Sequence, residues 1–180
     1  MRDWNMIATM APVPEAENIV LEHLGRFGEF HRSTFKDVCL GRVPDPSLFL
    51  DAIHLASEAG EDWTNRLSRI IPIEATFQFT PDTLIDELKM ATESFLERMH
   101  DGTFYVRVER RGMIGKVSSK EVEQAVADHL YELAEERGLK LHTDFSNPDF
   151  IVAAETVGDE CGVALLSKEL RDIYPFIHPK

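Results

Sequence analysis

Apolar and polar positions along this chain switch between two periods, and each switch marks an element. Near the N-terminus "WNMIATM", Trp4 to Met10, has strand composition, and "APVP" then breaks the chain. "EAENIVLEHLGRFGEF" brings Ile19, Leu24 and Phe27 near helical spacing, widened by Val20 and Leu21, with Gly25 and Gly28 softening its end. "STFKDVCLGRVP" alternates Phe35, Val38 and Leu40, as one or two short strands would. Asp45-Pro46-Ser47 opens a helix in which Leu48, Asp51-Ala52 and Leu55-Ala56 recur at helical intervals until Gly60 stops it. "RLSRIIPIEATFQF" returns to strand chemistry, and Pro72 restricts that strand to an edge, a strand start or a bulge.

A second unit starts at Thr80-Pro81-Asp82, where Thr80 is placed as N-cap and Pro81 at the first helical position. Leu84, Leu88, Ala91, Phe95 and Met99 then form one helical stripe, ended by Asp101-Gly102. "TFYVRVERR" alternates strictly, with Phe104, Val106 and Val108 on one face and Tyr105, Arg107 and Glu109 on the other. Ser118-Ser119-Lys120-Glu121 reads as a capping box, and the helix behind it buries Val122, Ala125, Val126, Leu130 and Leu133 before Gly138. "KLHTDF" reads as a strand, Asn147-Pro148-Asp149 as a turn, "FIVAAETV" as a central strand, and Gly158-Asp159-Glu160 turns into "CGVALLS".

The fold class is therefore α+β, in two domains, residues 1–79 and 80–180. The first reads β-α-β(β)-α-β, with two helices on one face of a small antiparallel sheet, which is the ferredoxin-like arrangement. The second reads α-β-α-β-β-β. No long linker or low-complexity stretch separates them, so the two are expected to pack together.

Charge changes the picture more than composition does. The chain has 19 Lys+Arg against 32 Asp+Glu, a net charge of −13. Such a balance argues against a broadly basic nucleic-acid binder, though not against a focused one. An acidic shell suits salt adaptation or a protein partner, and high salt would screen its repulsion of phosphate. Within this negative field, Arg107, Arg110, Arg111, Lys116 and Lys120 stand against Glu109 alone. Arg107 is on a strand, Arg110 and Arg111 open a loop with Gly112 and Gly115, and Ser118 and Ser119 begin a helix. Adjacent arginines offer planar forks for phosphate oxygens, and a helix N-terminus offers free N–H groups and a positive dipole end. The competing reading is a solvated loop whose arginines pair with nearby carboxylates. Tyr105 shares the Arg107 face and has the chemistry to stack a base, with packing as its competing use.

Other chemistry is missing from the sequence. Cys39 and Cys161 lie far apart and are read as inert core thiols of a reducing cytoplasm. No two histidines sit at i, i+4 on one helix, His129 reads as a satisfied helix residue, and no nucleophile elbow, phosphate loop or dinucleotide fingerprint occurs. We therefore expect no catalytic residue, metal or cofactor, and no membrane span, since no stretch approaches ~18 apolar residues. A small hydrolase is disfavoured on the same grounds.

The run "RIIPIEATFQFTPDTLIDELKMATESFL" followed by "TFYVRVERRGMIGKVSSKEVEQAVADHL" resembles the THUMP domain, preceded by its ferredoxin-like N-terminal domain. "LHTDFSNPDFIVAAETVGDECGVALLS" resembles that domain's closing half. The resemblance is carried by order and spacing over about residues 65 to 175, and in the first 65 residues mainly by element order. It implies a tRNA-binding protein that grips the acceptor stem and single-stranded 3′ end. With 180 residues and no room expected for a modifying domain, the chain is most similar to stand-alone members. These are adaptors that present tRNA to a separate modification enzyme, an RNA cytidine acetyltransferase. The residues expected at the RNA are Arg107, Arg110, Arg111, Lys116 and Lys120, with donors near Ser118 and Ser119. The alternative class is a non-RNA ferredoxin-like regulatory or protein-interaction module using the acidic surface.

Overall fold

A computed structural model describes residues 1–180 and has two sheets with helices, an α+β fold. Contacts divide the chain into two units: Met1–Ile73 with Arg171–Pro179, and Glu74–Leu170 with Lys180.

The first unit runs β1 (Met6–Met10), α1 (Ala16–Leu24), β2 (Glu29–Arg32), β3 (Val38–Arg42), α2 (Pro46–Glu58) and β4 (Leu67–Pro72). Its sheet order is β2-β3-β1-β4, every pair antiparallel. The strand preceding β3 begins earlier than the periodicity suggests. Phe30 lies over Gly41, where any Cβ would strike its ring, and this bare glycine lets "EFHR" close on β3. α2 starts as predicted, with Asp45 accepting from the Leu48 N–H at 3.2 Å and Pro46 in the first turn. Its buried face is Phe49, Leu50 and Ile53, while Leu48 and Leu55 are 66% and 67% exposed. The stripe through Leu48 and Leu55 is thus the wrong face, because the bulkier Phe49-Leu50-Ile53 set takes the core. The C-terminal segment returns to this unit, where the Ile70 N–H donates to the Phe176 carbonyl at 3.0 Å and the Tyr174 hydroxyl donates to Asp51.

In the second unit β5 (Ala75–Gln78), β6 (Thr103–Glu109), β7 (His142–Thr143), β8 (Phe150–Val157) and β9 (Glu160–Ser167) form a sheet of order β5-β9-β8-β6-β7. β6 runs parallel to both neighbours, and the other pairs are antiparallel. "ATFQF", assigned from the sequence to the first domain, belongs here. β5 pairs with β9, and the Glu74 carboxylate accepts from the Leu165 N–H at 2.7 Å. The division therefore falls between Ile73 and Glu74 rather than between 79 and 80.

The helical stripe after Thr80 is broken into α3 (Leu84–Thr92), a 3-10 turn at Glu93–Phe95 and α4 (Leu96–Met99). Thr80 does not cap it; Thr83 precedes the first helical residue. Buried Thr92 turns its hydroxyl back to the Leu88 carbonyl at 2.7 Å, a bond that bends helices, and the break follows at once. Leu84, Leu88, Phe95 and Met99 are buried as the stripe requires, and Ala91 packs partly buried. α5 (Ser119–Glu136) buries Val122, Val126, Leu130 and Ala134 in the same core as Phe104, Val106 and Val108 of β6. Ala125 and Leu133 are half-buried. The chain closes with α6 (Lys168–Ile173).

Candidate nucleic-acid interface

Between β6 and α5 the chain makes a compact loop. Gly112, Met113 and Gly115 have φ of 89°, 55° and 75°, and the Lys116 and Val117 N–H groups both return to the Met113 carbonyl. This turn feeds Val117 into the core and places Ser118 at the N-cap, where its Oγ accepts from the Glu121 N–H at 3.3 Å. Ser119 is half-buried and Lys120 exposed, and the N–H groups of a helix's first residues have no partner within the helix.

The seven expected residues separate into distinct environments. Arg107 is half-buried on β6, its guanidinium 5.3 Å from the Tyr105 ring centroid and its Nε buried without a partner. Arg110 is half-buried and donates to the Gly112 carbonyl. Lys116 and Lys120 are exposed. Arg111 corrects the sequence reading of a loop residue that buries little. Its Nη1 donates to Glu155 at 2.6 Å, with side-chain exposures of 9% and 2%. Its backbone is tied to the β8–β9 hairpin as well, through Thr156 Oγ1 at 2.9 Å and the Gly158 N–H at 3.0 Å. Arg111 is thus the pairing arginine that the competing reading described, while Arg107 and Arg110 hold no ion pair.

Arg107, Ser119 and Lys120 meet in a cavity of about 540 Å³ that runs along β6 and the first half of α5. Its walls include Tyr105, Glu123, Gln124, Tyr131, Thr143 and Phe145. Tyr105 and Phe145 lie 5.6 Å apart at 30°, and Phe145 is 73% exposed. Phe145 is held there by its neighbours, because Asp144 accepts from the Ser146 and Asn147 N–H groups at 2.8 and 3.1 Å. Those backbone donors, Asn147 first, hold the Asp144 carboxyl below the usual carboxylate range. Sequence reasoning weighed Tyr105 but missed Phe145 and Glu123. The available signal was a lone aromatic in the polar run "HTDFSNPD", which no period assigns to a core.

The family model that matches this chain is the THUMP domain, over residues 83–166. The chain carries a THUMP domain. The cavity, the loop and α5 all lie inside it. Among curated proteins the chain is similar to a tRNA sulfurtransferase of Thermoplasma acidophilum, 32% identical over 108 residues, which are 59% of this chain and 21% of that protein. Among solved structures it is similar to TrmN from Thermus thermophilus, with a TM-score of 0.62 at 19% identity over 90% of this chain and 44% of that one. PH1313 from Pyrococcus horikoshii gives 0.61 at 10% identity over 89% and 53%. A 4-thiouridine synthetase solved with RNA and ATP gives 0.58 at 15% identity over 91% and 41%. At these identities the likeness is one of fold. The chain spans about a fifth of the length of the curated relative and roughly two fifths to a half of the solved chains.

Elsewhere both cysteines are buried, and burial pushes the Cys39 thiol up to about 12 and the Cys161 thiol further still. Neither is a nucleophile at neutral pH. No helix is long and apolar enough to cross a membrane.

Proposed function

We propose that this chain is a tRNA-binding protein, and that the THUMP domain holds the RNA along β6, the Arg110–Lys116 loop and the N-terminus of α5. The observation that carries the reading is the meeting of unpaired cations, aromatic faces and free helix N–H groups at one cavity: Arg107, Lys120, Tyr105, Phe145 and Ser119. Phosphates suit the first and last of these, and unstacked bases suit the aromatics. The relatives named above, a tRNA sulfurtransferase and a 4-thiouridine synthetase bound to RNA, support the choice of RNA class.

The finer proposal is that the first unit is a ferredoxin-like domain, supported by its β-α-β-β-α-β order, and that it joins the THUMP domain on the acceptor stem and 3′ end. We propose further that the chain has no catalysis of its own, works in the cytoplasm, and presents tRNA to a separate RNA cytidine acetyltransferase. Lys116 remains in the proposed RNA set with Arg107, Arg110, Ser119 and Lys120. Ser118 contributes by fixing the helix end, and Arg111 by fixing the loop.

Fluorescence anisotropy of labelled bulk tRNA across a salt series tests the first claim. Binding that weakens steadily with salt is expected, and no binding at low or high salt would favour a protein-interaction module. Incubating the chain with tRNA and, separately, acetyl-CoA plus ATP, S-adenosylmethionine, or a sulfur donor plus ATP tests the second. A modified nucleoside formed without added enzyme would overturn the adaptor reading.

A further inference from the structure

We infer that the outer stripe of α2, made of Leu48, Ala52, Leu55 and Ala59, is a docking seam for a basic amphipathic helix of another protein. The inference goes beyond RNA binding and stands whether or not the THUMP domain holds tRNA.

Spacing sets the shape of the occupant. Leu48, Ala52, Leu55 and Ala59 follow one another at intervals of four, three and four residues, the rhythm of a coiled-coil seam. α2 fills the core of its own unit with Phe49, Leu50 and Ile53, so this second stripe has no use there, and Leu48 and Leu55 stand exposed. A single exposed leucine is ordinary, but these two share one line about 10 Å long and adjoin a concavity. A cavity of about 380 Å³ opens between α2 and the end of α1, lined by Ala52, Leu55, Ala56, Phe27, His23 and Trp63. Part of its wall is a fixed aromatic stack. The His23 ring lies on Trp63 with centroids 4.7 Å apart at 3°, and buried Trp63 donates its Nε1 proton to Glu61 at 2.9 Å. A seam about three turns long beside such a groove matches a helix laid along it, with one apolar side chain inserted.

Charge selects which helix. Asp51 and Glu58, both exposed, immediately precede Ala52 and Ala59 and so take the positions that flank the seam. Glu61 is a third exposed carboxylate, and it lines the cavity itself. Arg26 is the one permanent cation among the lining residues. This balance favours lysine or arginine on the facing helix. A second copy of the chain would set Asp51 and Glu58 against their own kind, and the net charge of −13 adds to that repulsion. The same carboxylates repel phosphate, so RNA does not suit the seam.

The probe is a synthetic peptide of about three heptads with leucine at a and d and lysine at e and g, whose own charge keeps it from pairing with itself. It is titrated into the full chain and followed by the methyl resonances of leucine and alanine. Shifts should be confined to Leu48, Ala52, Leu55 and neighbouring Ala56 and Ala59, while buried Leu130 stays unmoved. Peptides with glutamate in place of every lysine, or serine in place of every leucine, should not bind. Leu48→Ser/Leu55→Ser changes two exposed residues, so it should fold normally and weaken the lysine peptide at least about tenfold. Its affinity for labelled bulk tRNA should equal that of the parent. Equal binding of either control peptide would overturn the inference, as would no binding of the lysine peptide or binding that the double variant leaves intact. A dimer of the chain alone that the double variant dissolves would assign the seam to a second copy instead. Loss of tRNA affinity in the double variant would assign it to RNA. Failure of the unaltered chain to bind tRNA would overturn only the RNA-binding reading.

Discussion

Arg111 and Glu155 form a buried ion pair at 2.6 Å, linking the first residues after β6 to the middle of the hairpin strand β8. Arg110, its neighbour in sequence, has no carboxylate partner and turns back onto its own loop. Two adjacent arginines with the same charge thus have opposite roles. Arg111→Ala breaks this buried pair and should destabilise the THUMP domain by about 3–5 kcal/mol. Arg110→Ala should stay within about 0.5 kcal/mol of the parent. Urea unfolding followed by circular dichroism measures both. Equal stability of the two variants would contradict the division of roles.

Packing of α5 on the sheet gives a second contrast. Leu130 is fully buried beneath the helix, whereas Leu55 stands 67% exposed on α2. Leu130→Ala should therefore cost about 2–5 kcal/mol. Leu55→Ala should be nearly neutral, within about 0.5 kcal/mol. A large loss at Leu55 in denaturant titration would contradict its exposed position on α2.

Acid should release Phe145 late. The Asp144 carboxyl is held below its ordinary 3.8 by N–H donors of Asn147 and Ser146, so its turn is stabilised by the ionised form. A depressed folded-state value means that this contribution is complete above the unfolded value and is lost as pH falls through the folded one. Nuclear Overhauser contacts between the Tyr105 and Phe145 rings should persist down to pH about 4 and fade only below. Asp144→Ala should lose them at neutral pH, while Asp144→Asn, which keeps an acceptor oxygen, should retain most.

Much of the second unit was legible because its signals are local. The strict alternation of Phe104, Val106 and Val108 gave β6, and Ser118 with Gly138 bracketed α5 almost to the residue. What local periodicity could not supply was partnership. "ATFQF" has the same strand chemistry whichever sheet receives it, and only pairing with β9 assigns it to the second unit. α2 offered two apolar stripes, and side-chain volume rather than spacing chose between them. At the site, the basic cluster was visible as charge, yet charge alone cannot tell Arg111 from Arg110. That distinction comes from Glu155, 44 positions away in sequence. Phe145 and Glu123 were hidden for the same reason, since their places at the cavity depend on partners distant in sequence.

The central claim, that this face of the THUMP domain binds tRNA through phosphate contacts, is tested most directly by the salt dependence of tRNA affinity in Arg107→Ala/Arg110→Ala. Each arginine removed from a phosphate should make the plot of log K against log salt shallower by about 0.7–0.9. Affinity should fall by a similar factor on every tRNA, because phosphate contacts position the RNA without reading its sequence. Lys89→Ala, on a preceding helix outside the cavity, serves as the control and should change neither. A double variant that folds normally and keeps both the affinity and the slope of the parent would contradict the account.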